Sequence, residues 1–200
     1  MEQSALLGMV LGDSYISLKG VLITRHCLQQ RPYLIQKLEF CRALYPHKTF
    51  NLVEVPSQNA AQFGVCDAKK FKIWRSQFYP QGKKVISTGI LRRLTLQGLA
   101  FWYCDDGSLS VKKRNGVAHA LEARLSTCCS FEEAQLVCDI FKERWGLNAT
   151  VCRDHKLFSV RWGTKTARKV SDLLAEYVIP SMQYKLAKPG FEKGVYVSRL

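Results

Sequence analysis

The strongest constraint on this chain is a repeat of one unusual feature: an apolar helix that stops at an acid. Ser4 to Gly12 reads S-A-L-L-G-M-V-L-G and runs into Asp13-Ser14-Tyr15. Thr95 to Tyr103 reads T-L-Q-G-L-A-F-W-Y and runs into Cys104-Asp105-Asp106-Gly107. Asp13 and Asp106 lie 93 residues apart, close to half of the 200 residues. Ser4 and Thr95 are read as the helix caps. The segments after each acid are also alike. Strand-like segments at Tyr15–Lys19 and Val21–Cys27 match Ser108–Lys113 and Ala118–Cys128. A helix over Arg31–Leu44 matches one over Phe131–Trp145, where Ser130 and Glu133 form a capping box. Strands at Thr49–Val55 and Gln62–Cys66 match Asn148–Arg153 and Leu157–Trp162. Helices over Ala68–Phe78 and Thr164–Tyr177 close the halves before Pro80 and Pro180. The expectation is an α+β fold of two αββαββα halves, residues 1–92 and 93–200. No Gly/Ser/Pro linker separates them, so they should pack together about an approximate two-fold.

Composition narrows the partner. Lys and Arg number 30 against 16 acids, a formal charge of +14. On a chain with 47% apolar residues, enough for a core, that excess points to a polyanion, a merely soluble basic protein being the plain alternative. The eight cysteines form no C-x-x-C pair, so neither a zinc ribbon nor a redox motif is visible. Several lie in apolar runs and read as small buried hydrophobes. The opening Met1-Glu-Gln-Ser is acidic where a signal peptide would be basic, and no apolar stretch approaches the roughly 20 residues of a membrane span. The expected setting is the cytoplasm or an organelle interior, with reduced thiols, no secretion and no membrane partner.

A carboxylate at a helix C-terminus opposes the macrodipole by about 0.3–1 kcal/mol. If the two apolar helices pack side by side, Asp13 and Asp106 meet at one end, where a divalent cation would relieve their repulsion and oxygen donors would suit Mg²⁺. Gly8 and Gly12 would let the backbones approach. Taken alone, the acids fit equally two core helices with solvated ends.

Leu6 to Ser14 and Leu99 to Gly107 resemble the paired LAGLIDADG motifs of homing endonucleases. Pro80-Gln-Gly-Lys-Lys84 and Ile179-Pro-Ser-Met-Gln-Tyr-Lys185 are similar to the lysine-bearing segments that close each half of single-chain members, and Leu125 to Glu133 to the segment joining sheet and helix. The departures are Leu11 and Cys104 at the sixth motif position, Phe101 at the third of the second motif and Ser14 at the ninth of the first. The resemblance implies a saddle of antiparallel sheets and a site-specific double-strand DNA endonuclease that uses Mg²⁺, or another divalent cation such as Mn²⁺ or Ca²⁺. It implies Asp13 and Asp106 as metal-binding acids, backbone carbonyls of Gly12 and Asp105 at the metal, and Lys84 and Lys185 beside the scissile phosphates. The side chain of Asp105 is read as a surface acid. The family also implies cuts across the minor groove that leave 3′ overhangs.

A β-ribbon fits the major groove and shows every second side chain on one face. Candidate DNA contacts are Tyr15, Ser17, Lys19, Thr24, Arg25 and His26 in the first half. In the second they are Ser108, Ser110, Lys112, Lys113, Arg114, His119, Glu122 and Arg124. Because the two sets differ, the target is expected to be asymmetric and the protein a monomer. Two alternatives share the fold: an RNA-binding intron maturase and a DNA-binding regulator that does not cut.

Overall fold

The structure, a computed structural model, describes residues 2–188. Its two central helices are α1 (Glu2–Leu11) and α5 (Leu96–Asp106). Both are apolar around nearly their whole circumference, the pattern of a helix buried on every side. Ala5 to Leu11 and Leu99 to Cys104 are indeed all buried. The helices cross at Gly8 and Gly98, where a Cβ on Gly8 would collide with the Gly98 carbonyl and one on Gly98 with Ser4. Gly8 therefore allows the approach expected of it. Its partner Gly98 lies one turn before the third motif position. Phe101, which holds that position, turns toward α2 (Arg31–Leu44), stacking on Tyr33 and meeting Phe40 at a tilt.

Each half then builds one four-stranded antiparallel sheet with the same strand order. The first is β1-β2-β4-β3, from β1 (Tyr15–Ile16), β2 (Val21–Cys27), β3 (Val53–Val55) and β4 (Ala60–Cys66). The second is β5-β6-β8-β7, from β5 (Gly107–Arg114), β6 (Val117–Cys129), β7 (Thr150–Asp154) and β8 (Leu157–Gly163). The other helices are α2, α3 (Ala68–Phe78), α4 (Thr88–Leu91), α6 (Phe131–Trp145) and α7 (Thr164–Leu174). Element boundaries agree closely with the sequence at α2, α3, α6 and β2. The strand expected to run to Lys19 stops at Ile16, where Ser17 turns the chain and its Oγ accepts the Val21 amide at 3.1 Å.

The caps split in outcome. Thr95 Oγ1 accepts the Gly98 amide at 3.5 Å, and Ser130 with Glu133 forms the capping box. Ser4 is not a cap. Helix α1 already includes Glu2, and the Ser4 hydroxyl is buried at the helix crossing, where it accepts the Thr95 amide at 2.6 Å. The start of one motif helix is thus tied to the start of the other. One continuous apolar core runs through both halves, and Cys41, Cys104, Cys129 and Cys138 are buried within it as free thiols. No helix among the described residues is long and apolar enough to cross a membrane.

Candidate active site

The paired helices deliver both acids to one end of the bundle. Asp13 comes just after the last turn of α1, and Asp106 is the last residue of α5. Burial raises both carboxyls above the usual range and the Asp105 carboxylate raises each further; Asp13 adds to the rise at Asp106, which is pushed up to about 7. The Trp102 indole, one turn back on the same helix, donates to Asp106 Oδ2 at 3.2 Å.

The two lysines arrive from the segments that close each half and take matching positions. Lys84 Nζ donates to the carbonyls of Gly12 at 2.9 Å and Leu11 at 3.3 Å. Lys185 Nζ donates to those of Asp105 at 3.0 Å and Cys104 at 2.5 Å. Each ammonium thus caps the orphan carbonyls at a motif helix's C-terminus, where positive charge is favoured. Both are desolvated, which lowers their pKa, while the neighbouring acids oppose the shift.

Asp105 is not a surface acid. Its side chain is fully enclosed and takes Lys37 Nζ at 2.6 and 2.8 Å on its two oxygens, while Oδ2 also accepts the Asp13 amide at 3.0 Å. The space it fills exists because its counterpart is Gly12: a Cβ there would collide with the Asp105 carboxylate. Lys37 is fully buried on α2 between Leu34 and Leu38, and it completes its three hydrogen bonds on His26 Nε2 at 2.9 Å. It also lies 4.6 Å from the centre of the Tyr33 ring.

His26 is neutral in this setting. Burial and Lys37 hold its pKa down at about 4. Its Nδ1 faces Gln30 Oε1 at 3.1 Å and so carries the proton, while Nε2 accepts from Lys37. Donor atoms of Asp13, His26 and Asp105 lie within 4.8 Å of one another, the spacing of a metal site. The ring's lone pair and the Asp105 oxygens are already bonded to Lys37, so His26 is no free ligand. The acids available to a cation are Asp13 and Asp106. None of this was legible in the sequence beyond a lysine standing on the apolar stripe of α2.

The expected DNA contacts divide by strand face. Tyr15 and Arg25 lie on the exposed face of the first sheet, Lys19 is exposed in the turn and Ser17 is half-buried there. Thr24 and His26 are on the inner face: Thr24 is buried and bonded to Ser14 at 2.8 Å, and His26 joins the site just described. Consecutive residues of a strand cannot share a face, which sets Thr24 and His26 apart from Arg25. In the second sheet Ser108, Ser110, Lys112, Glu122 and Arg124 share the outer face. Lys113, Arg114 and His119 are exposed at the hairpin end, where the register shifts and His119 is skipped between Ala118 and Ala120. The sequence reading missed two outer-face residues. Gln62, opposite Arg25, accepts from its Nε and Nη2 at 2.9 and 2.6 Å. Arg161, opposite Arg124, lies 3.5 Å from Glu122, which also pairs with Lys112 at 3.1 Å. Pairing register is the signal that finds both.

Comparison with known proteins gives the family. Residues 3–169 match the LAGLIDADG DNA endonuclease family. The Mycosarcoma maydis protein named "Probable intron-encoded DNA endonuclease 3" is 32% identical over 125 residues, covering 60% of this chain and 88% of that protein. Cytochrome b mRNA maturase bI2 of Saccharomyces cerevisiae is 24% identical over 204 residues, 92% of this chain and 46% of the maturase. Protein RecA of Mycolicibacterium flavescens is 28% identical over 123 residues, and the matched part is 29% of its length. This chain therefore spans most of the first relative and less than half of the other two. Among solved structures, the homing endonuclease I-WcaI bound to its DNA recognition sequence has a TM-score of 0.75 at 21% identity, over 93% of this chain and 85% of that one. The meganuclease I-AabMI bound to uncleaved DNA has a TM-score of 0.57 at 10% identity, over 91% and 86%. The likeness in structure gives the two-sheet fold, and the family match runs from α1 into α7 through both motif helices: this chain belongs to the LAGLIDADG DNA endonuclease family.

Proposed function

We propose that this protein is a homing endonuclease that makes a site-specific double-strand break in a long asymmetric DNA target by metal-dependent phosphodiester hydrolysis, leaving 3′ overhangs. The observation that carries the reading is the symmetric centre. Two carboxylates with raised pKa stand at paired helix ends, each helix capped by a lysine ammonium on its last carbonyls.

The donor set there fits a hard divalent cation. It consists of oxygens alone, and the Gly12 and Asp105 carbonyls already attract ammonium groups. Asp13 and Asp106, with those two carbonyls, would hold Mg²⁺, or Mn²⁺ or Ca²⁺ in its place. The bound ion would supply Lewis acidity at the phosphate and a more acidic water. Lys84 and Lys185 place positive charge beside the acids, where it stabilises charge building on phosphate oxygens. Trp102 holds Asp106 in one orientation by its indole hydrogen bond. The outer faces of the two sheets, with Arg25 and Gln62 on one and Lys112, Arg124 and Arg161 on the other, would bind unlike half-sites through phosphates and base edges. The similar structures solved on DNA support a double-stranded target. The motif helices are consumed against each other inside one chain, which supports a monomer; the proposed setting is inside the cell, in the cytoplasm or an organelle.

The likeness to a cytochrome b mRNA maturase over 92% of the chain favours a second reading, assistance to splicing of an intron RNA by the same basic surface. A plasmid carrying the uninterrupted insertion site of the host gene separates the two. Linear product with Mg²⁺ and none with EDTA is expected. Persistent supercoiled plasmid in Mg²⁺, beside tight binding of the intron RNA, would overturn the nuclease reading.

A further inference from the structure

Among the described residues, the buried charges around Asp13 have no counterpart around Asp106. Helix α2 buries Leu34, Lys37, Leu38 and Cys41, and α6 buries Ala134, Val137, Cys138 and Phe141 at the same spacing. Lys37 therefore corresponds to Val137. Thr24 pairs with Phe63 as Leu125 pairs with Val160, and beyond the register shift in β6 His26 pairs with Ala61 as Cys129 pairs with Phe158, so His26 corresponds to the buried thiol Cys129. At the centre Gly12 corresponds to Asp105. The second half thus sends a carboxylate across the interface, and the first half supplies its ammonium and receives it on the Asp13 amide.

We infer that Lys37 is a positioning residue for Asp13: it pins the Asp105 carboxylate over Gly12, where that carboxylate holds the Asp13 amide, so that the cut depending on Asp13 requires Lys37 and the cut depending on Asp106 does not. The geometry is asymmetric at each step. Asp13 lies beyond the end of α1 with its side chain partly exposed, and the neutral His26 ring stands 3.6 Å from its Oδ2. The Asp13 amide donates to Asp105 Oδ2 at 3.0 Å. That oxygen is also held by Lys37 at 2.8 Å, and the ammonium cannot drift because His26 Nε2 and the enclosing side chains of α2 confine it. Asp106 needs no such clamp, being within α5 and bonded to Trp102. A buried lysine with a purely structural duty would affect both centres through the shared core. Charge-assisted bonds in a dry interface are strong enough to set the geometry of a neighbouring group.

The strand-bias part rests on the endonuclease reading; the clamp itself does not, and the test separates them. Amide hydrogen exchange measured by NMR on the DNA-free protein reads the clamp. In Lys37→Met the Asp13 amide should exchange at least about tenfold faster. The flanking amides of Gly12 and Ser14, bonded to the Gly8 and Met9 carbonyls, should keep their rates. On a duplex that the wild-type chain selects from a randomised pool, labelled on each strand, Lys37→Met should change the ratio of the two nicking rates by at least about tenfold. The slowed strand should be the one slowed by Asp13→Asn. Unchanged Asp13 exchange in a folded Lys37→Met protein, or equal slowing of both strands, would overturn the inference. Should Lys37→Met fail to fold, Asp105→Asn, which gives Lys37 a neutral partner, supplies the same readouts with the same expected changes. A wild-type chain that cuts no duplex would sink the endonuclease reading, while the exchange experiment would still decide the clamp.

Discussion

The two acidic centres share a framework and differ in what surrounds them. Around Asp106 the support is local and neutral: a tryptophan of its own helix, four residues back. Around Asp13 the support comes from three elements, with the charged pair of Asp105 from the other half and Lys37 from α2, and the neutral ring of His26 from β2. The cause lies at the interface. Near an approximate two-fold, equivalent side chains aim at the same space, and there is room for one. With Asp105 in place, the opposite residue must be glycine, as Gly12 is. A close helix crossing in a duplicated fold thus forces unequal halves even where the backbones repeat.

The largest effect should come from the acids themselves. Asp106→Asn and Asp13→Asn are each expected to abolish linearisation of target plasmid, while DNA affinity stays within about tenfold, some 1.4 kcal/mol. Full linearisation by either variant would show that the centres are not both required.

The sheets should differ next, through their charge. Binding to any duplex should weaken steeply with salt, by roughly 0.9 in log–log slope per phosphate neutralised. Replacing Lys112, Arg124 and Arg161 together with Gln should remove about 2.7 from the slope. Replacing Lys19 and Arg25 should remove about 1.8, measured by fluorescence anisotropy across a salt series. Equal losses would erase the proposed difference between the two surfaces.

The smallest effect is a titration. A carboxyl raised in the fold to about 7 holds its proton more tightly than in the unfolded chain, so this group disfavours folding as pH rises from the ordinary aspartate range through 7. Its anionic form, the one a cation needs, is lost as pH falls below about 7. Carbon-detected NMR of the metal-free protein should therefore find the Asp106 midpoint near 7. Asp13→Asn should lower it, since Asp13 is one of the causes of the rise. A midpoint near 4 in the wild-type protein would mean that Asp106 is no more desolvated than a surface acid.

Much of this fold is written locally. The apolar runs around Gly8 and Leu99 make helices that must be buried on all sides, and an acid after each run marks its end whatever the rest of the chain does. The capping box at Ser130, the alternation of β2 and the lysines after Pro80 and Pro180 depend on residues a few positions apart, so they could be read without coordinates. The role of Asp105 could not, because its partners come from α2 and from the other half, and no local rule distinguishes it from a solvated acid. Lys37 interrupts an apolar stripe, yet stripe periodicity cannot say whether such a lysine snorkels out or turns inward to meet a carboxylate 68 residues away. Thr24 and His26 needed strand phase, which pairing between Val21–Cys27 and β4 fixes. Helix ends and acids come from short-range chemistry; which buried charges meet depends on how closely two backbones approach, and that is settled at Gly8, Gly12 and Gly98.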